Sequence, residues 1–203
     1  MCLGMFGGTL DSNLIISNTA NNEGGGIHIF GVGTWTNNVL IDNYAGHSGS
    51  AMFILPGGPE LVHTTLARNH GGDGSAIYIT DGPVPGWTTS VELINTVFVS
   101  HTIGISITAG HTVTVDSVLW HDVPTKLSAE SGSSTTIKNE FTGDPAFAVD
   151  GYHITAGSEA IDNGMDAGIS VDMDGEPRPA GAGYDLGADE LWINVYLPLV
   201  QNE

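Results

Sequence analysis

Arg68, His70 and Asp73 place a strong base, an imidazole and a carboxylate within a six-residue stretch. Abstracting a proton from a carbon acid needs a base beside the C–H and positive charge facing the developing anion. The chain has four permanent cations, Arg68, Lys126, Lys138 and Arg178, against 23 carboxylates. Arg68 is the sole one on a regular repeat, so Arg68, His70 and Asp73 are the candidate catalytic residues. A hydrolase would instead use two facing carboxylates, and the sequence singles out no such pair.

Other residue sets suit binding. Asp172-x-Asp174-Gly175 has a spacing that fits a hard cation such as calcium, making Asp172 and Asp174 the metal candidates. The twelfth loop position, counted from Asp172, is Gly183 where an EF-hand needs Glu. The competing expectation is an Asx-turn whose carboxylates accept nearby main-chain N–H groups, leaving the chain without a cofactor. His101, His121 and Asp122 offer nitrogen and oxygen donors at neighbouring positions, a second place to look for a metal. The run 71–77 nearly spells a calcium-binding nonapeptide, but Ala76 stands where the ligand Asp belongs. Trp35 and Trp87 could each offer a flat apolar face to a sugar, or simply cover the loops that hold them.

These residues sit on a repeat. A short β-rich run, a polar corner, a glycine cluster and a second apolar run fill 13–33 and then recur. Ile29 to Ile54 is 25 residues, Ile54 to Ile79 is 25, and Ile79 to Ile107 is 28. A period of this size signals a solenoid whose units bury apolar faces against their neighbours. Runs of about 3–5 β-branched and aromatic residues between Gly and Asn predict strands. The expected fold is all-β, a right-handed parallel β-helix, with equal-phase residues about 4.8 Å apart.

Asn18, Asn43 and Asn69 recur at the same corner, followed in phase by His101 and Asp122, and predict a stacked amide ladder. Asn also suits the left-handed backbone of a sharp corner. The segments 31–36, 55–60 and 81–90 fall at one phase and are expected to be loops along one edge, the usual binding edge of a solenoid. The repeat pattern is clear over about 9–125 and fades at 126–134. Coils are therefore expected within 1–140, a C-terminal cap at 141–190 and an apolar tail at 191–203. Arg178 is expected to pair with Asp185 or Glu190 and close the cap on the last coil.

A formal net charge of −19 disfavours nucleic acid and anionic lipid as partners. The single Cys2 excludes an intrachain disulfide. Residues 1–8 lack the basic and apolar regions of a signal peptide and look like the end of a coil, so earlier coils are expected. The longest apolar stretch falls short of the roughly 20 residues that span a bilayer.

The C-terminal motifs are more specific. Asp144-Pro145-x-Phe147 is followed by Gly151-Tyr152-His153-Ile154-Thr155-x-Gly157-Ser158-x-Ala160-Ile161-Asp162-x-Gly164. Asp172-x-Asp174-Gly175-x-Pro177-Arg178-Pro179 and Asp185-x-Gly187-Ala188-x-Glu190 complete the series. This order resembles the C-terminal region of choice-of-anchor Q domain proteins, bacterial surface or secreted chains with pectate-lyase-like β-helices. The resemblance implies that fold and an extracellular or cell-surface location, and no defined activity; adjacent coils or domains of a longer chain are the expected neighbours, from the coil-like residues 1–8. A non-enzymatic module, structural or adhesive and able to bind glycan, is therefore the expected function. The alternative is a polysaccharide lyase or hydrolase with its site on the β-helix face.

Overall fold

The computed structural model describes residues 2–4, 8–81 and 86–192. Its described residues contain strands, bridges and turns with no helix, and the strands pair in parallel. They stack as a β-solenoid of about five turns. The isoleucine column is present: Ile29 pairs with Ile54, Ile54 with Ile79, and Ile79 with Ile107. Each is at most 1% exposed, because alternate residues of a strand face the same side and this side is the interior. A second interior column runs Leu40, Leu66, Phe98, Trp120, with the last two rings stacked at 4.6 Å.

Two expectations are corrected here. Residues 31–36 and 55–60 are strand, not loop, lying within Ile27–Thr36 and Met52–Val62. Positive φ at Gly31, Gly57 and Gly58 lets these strands bend at a corner, where the register slips by one residue between Ile29 and Gly31 before the ladder resumes. The fading of the repeat pattern at 126–134 does not end the coils, which run on to Thr142, about as far as the expected 1–140. Thr125–Ala129 pairs with Ile103–Ile107, and Ser134–Thr142 pairs with Thr112–His121 over eight positions. The apolar pattern fades there because this coil is the outer edge of the stack, where Ser, Thr, Lys and Glu are solvated and discourage edge-to-edge pairing.

The second correction concerns residues 143–191. They run along the flank of the solenoid instead of capping its last coil. Val39, Ile41, Ala67, Val97, Val99 and Leu119 face outward from their strands, yet are buried against Ile154, Ala160, Leu186 and Ala188. Polar ties fix the strap: Asn37 Nδ2 donates to the Val171 carbonyl at 3.0 Å, and the Ala188 N–H donates to Thr65 Oγ1 at 3.0 Å. Asn95 does both jobs, donating to the Met165 carbonyl at 2.7 Å and accepting the Met165 N–H at 2.9 Å.

The Asn ladder forms, with a changed assignment of roles. Asn18 Nδ2 donates to Asn43 Oδ1 at 3.0 Å, Asn43 Nδ2 to Asn69 Oδ1 at 2.8 Å, and Asn69 Nδ2 meets His101 Nε2 at 3.3 Å. The left-handed residue is the one before each rung: Ser17, Asp42, Arg68, Ser100 and Asp122 all have φ of 53–56°. Asp122 therefore belongs to the bend, and Val123 occupies the rung position after His101. A parallel bend column comprises Ser12, Asn37, His63, Asn95, Ser117 and Asn139. Beside it lies a shorter ladder in which Asn13 Nδ2 donates to Asn38 Oδ1 at 3.1 Å.

Asn43 is fully buried, and its side chain also reaches the Ile15 carbonyl and accepts the Asn18 N–H. Asn43→Ala leaves those groups unpaired and is expected to cost roughly 2–3 kcal/mol, or about 5–10 °C in Tm for a chain of this size. A variant that melts within a degree of the parent would remove the ladder from the account of stability.

Candidate functional site

Trp35 and Trp87 are the two candidates for a sugar-facing ring on the edge formed by 31–36, 55–60 and 81–90. The strand alternation separates them. Trp35 pairs in register with Leu61, which pairs with Leu93, so it points inward, 2% exposed, with Nε1 donating to the Gly8 carbonyl at 3.3 Å. It offers no face to a ligand. Trp87 is 51% exposed and lies 6.1 Å from the Phe30 ring, inclined by 31°. These two rings, Val32, Pro56 and Thr88 line a groove of about 590 Å³ on the solenoid's outer side. The parallel bridge between Gly57 and Thr89 positions it, setting the segment after Gly86 against the edge of Met52–Val62. Residues 82–85 of the third predicted loop lie outside the described residues.

The catalytic candidates are not assembled into a site. Arg68 grips Asp42 with two parallel bonds of 2.9 Å, from Nε and Nη2, and its Nη1 donates to the Gly151 carbonyl at 3.2 Å. It ties a coil bend to the strap. His70 meets the Arg68 carbonyl through Nδ1 and packs edge-on against Tyr44. Asp73 accepts the Ser75 N–H and hydroxyl at 3.1 and 2.7 Å, closing its own turn. The remaining cations are paired as well: Lys126 with Glu140 at 2.9 Å, Lys138 with Asp116 at 4.0 Å, and Arg178 with Glu190 at 2.8 Å.

The metal candidates are also separated by use. Asp172 is buried, and its Oδ1 accepts the N–H groups of Asp174 and Glu176 at 2.9 and 2.8 Å, an Asx-turn. Its Oδ2 accepts the Glu190 N–H at 3.2 Å, which leaves little of this carboxylate for a calcium ion. His101 is a ladder rung. His121 donates from Nδ1 to the Gly143 carbonyl at 2.9 Å and has Nε2 3.6 Å from Asp122 Oδ2, so His121 and Asp122 meet as a pair without His101.

Asp174 turns instead to a residue that the sequence had left without a role. His153 Nε2 is 2.6 Å from Asp174 Oδ2, and its Nδ1 is 2.7 Å from Asp150 Oδ2. Asp189, 6% exposed, lies beside them and accepts the Ile154 N–H at 2.7 Å. Burial alone would lower the His153 pKa, but its bonds to Asp150 and Asp174 prevail and push it up to about 9. Burial pushes Asp189 up to about 7 against the help of its main-chain bond. Asp150, His153, Asp174 and Asp189 span 40 residues, and no fixed spacing announces them; the Asp172–Asp174 pattern marked one member only.

No protein family, curated protein or solved structure matches this chain. No helix among the described residues is long and apolar enough to cross a membrane.

Proposed function

We propose that the chain is a non-enzymatic β-solenoid module of a surface or secreted protein, structural or adhesive, with the Trp87 groove as its contact for glycan. The observation that carries this reading is the engagement of all four cations, each with a carboxylate partner. A polyuronate lyase needs a base free to take a proton and positive charge for the substrate carboxylate. Arg68, the one candidate, is held at both ends, and a charge of −19 repels a polyuronate approaching in solution. The groove offers the complementary chemistry: two aromatic rings, the aliphatic Val32 and Pro56, and one hydroxyl suit the apolar face of an uncharged sugar. The surface or secreted setting rests on the resemblance of the C-terminal motifs.

A glycan array, run beside a lyase assay on acidic polysaccharides with millimolar calcium, separates the readings. Retention of neutral glycans is expected, weakened roughly tenfold by Trp87→Ala, about 1.4 kcal/mol. Because Trp87 is half exposed, Tm should move little. Unsaturated product absorbing in the ultraviolet, lost on Arg68→Ala, would overturn the non-enzymatic reading. Neutral glycan binding unchanged by Trp87→Ala would remove the groove from it.

A further inference from the structure

The group His153, Asp174 and Asp189 brings one imidazole and two carboxylates together, with a ligand atom from each lying within 4.8 Å of the others. Each comes from a different part of the strap. His153 precedes Ile154, which bridges to Phe147; Asp174 sits in the turn begun by Asp172; Asp189 follows Ala188, which is tied to Thr65. We propose that these three side chains bind one divalent transition metal of the Zn²⁺ class, with solvent completing the coordination, and that the metal staples the strap.

Three features carry the assignment. The Asp150 carboxylate takes the Nδ1 side of His153 at 2.7 Å, which fixes the ring and leaves Nε2 turned to Asp174 at 2.6 Å. A histidine bound to a metal through one nitrogen commonly holds a carboxylate on the other in this way. Asp189 is 94% buried by its 6% exposure, and only one of its oxygens takes a hydrogen bond among the described residues. A buried carboxylate half supplied with donors is expensive unless a cation or a proton meets it. Three carboxylates, Asp150, Asp174 and Asp189, gather around this one imidazole, a concentration of acidic groups that a divalent ion would offset.

The donor set selects the ion. One nitrogen and two carboxylate oxygens suit zinc and its neighbours, whereas calcium takes about 6–8 oxygens and no imidazole. This site is independent of the groove and of any glycan.

The test is titration of the full chain with Zn²⁺, followed by calorimetry and by melting. One equivalent is expected to bind, and Tm is expected to rise by about 5–10 °C at a hundredfold excess over Kd. His153→Gln is expected to abolish both effects. Asp174→Asn, at a side chain 47% exposed and so tolerant of change, should weaken binding at least tenfold while leaving the metal-free melt intact. Asp150→Asn keeps all three ligands and should weaken binding roughly 10–100-fold. Cobalt in place of zinc should give a visible absorption band that vanishes in His153→Gln. Zinc bound equally well by His153→Gln and Asp174→Asn would place it on other surface histidines and overturn the proposal. Calcium stabilising as strongly as zinc, or no zinc binding at all, would overturn it as well.

Discussion

Arg178→Ala is expected to destabilise the protein by about 3–5 kcal/mol, since removing one partner strands the other as a buried charge. Both side chains of the Arg178–Glu190 pair are fully buried. The guanidinium also donates to the carbonyls of Gly187 at 2.9 Å and Asp185 at 3.3 Å. Glu190 in turn accepts the N–H groups of Ala180 at 2.8 Å and Asp185 at 3.0 Å, so one ion pair organises residues 178–190. That segment places Ala188 on Thr65 and Leu186 in the flank, and losing it would expose Val39, Ile41, Val97 and Val99. At about 2–4 °C per kcal/mol for a chain of this length, Tm should fall by roughly 10 °C. If the stranded charge is the cause, Arg178→Met combined with Glu190→Gln should be more stable than Arg178→Met alone. A single variant melting within a degree of the parent, or a double variant no better than the single, would show that the pair does not hold the strap.

How much of this was legible depends on which side of a strand a residue occupies. The interior column Ile29, Ile54, Ile79 and Ile107 was readable because stacking forces one residue type to recur at one coil length. The amide ladder was readable for the same reason, and it stops where the repeat does, at Val123. Trp35 was misplaced because Gly31 and Gly33 suggested a loop, although counting alternation onward from Ile27 and Ile29, past the bend at Gly31, would have needed the partner strand to settle its phase. The strap was read as a cap on the last coil, with its Arg178–Glu190 pair, but not as a cover for the flank, yet a signal for that existed. Val39-Leu40-Ile41 and Val97-Phe98-Val99 are apolar at every position, and a strand apolar on both faces is covered on both faces. A bare solenoid wall would have alternated. The His153 cluster had no such signal, because three turns of an irregular strap bring its members together and periodicity does not extend there.

Acid should weaken this fold in a specific window, with His101 among the causes. His101 is 3% exposed, and its Nε2 accepts from the N–H and the Nδ2 of Asn69, both at 3.3 Å. Burial, aided by the Arg68 charge, holds its pKa down at about 3. His63 is fully buried, and burial with the Arg178 charge brings it to about 3 as well. Both lie below the ordinary 6.5, so between pH 6.5 and 3 the unfolded chain binds more protons than the folded one. Stability then falls as pH falls, by about 1.4 kcal/mol per pH unit for each histidine. Asp185, raised by burial to about 6, and Asp189, raised to about 7, act oppositely. The fold binds their protons first, so they add stability as pH drops from 7 towards their ordinary 3.8. The two pairs offset one another over roughly pH 4–6, and below pH 4 the histidine loss stands alone. Urea melts at pH 7, 5 and 3.5 should therefore show a shallow dependence and then a steep drop. His101→Asn extends the rung type of Asn43 and Asn69 and removes one titrating group. It should match the parent at pH 7 and exceed it at pH 3.5 by about 2–4 kcal/mol. Equal losses in parent and variant at pH 3.5 would show that the ladder's terminal imidazole does not set the acid limit of the fold.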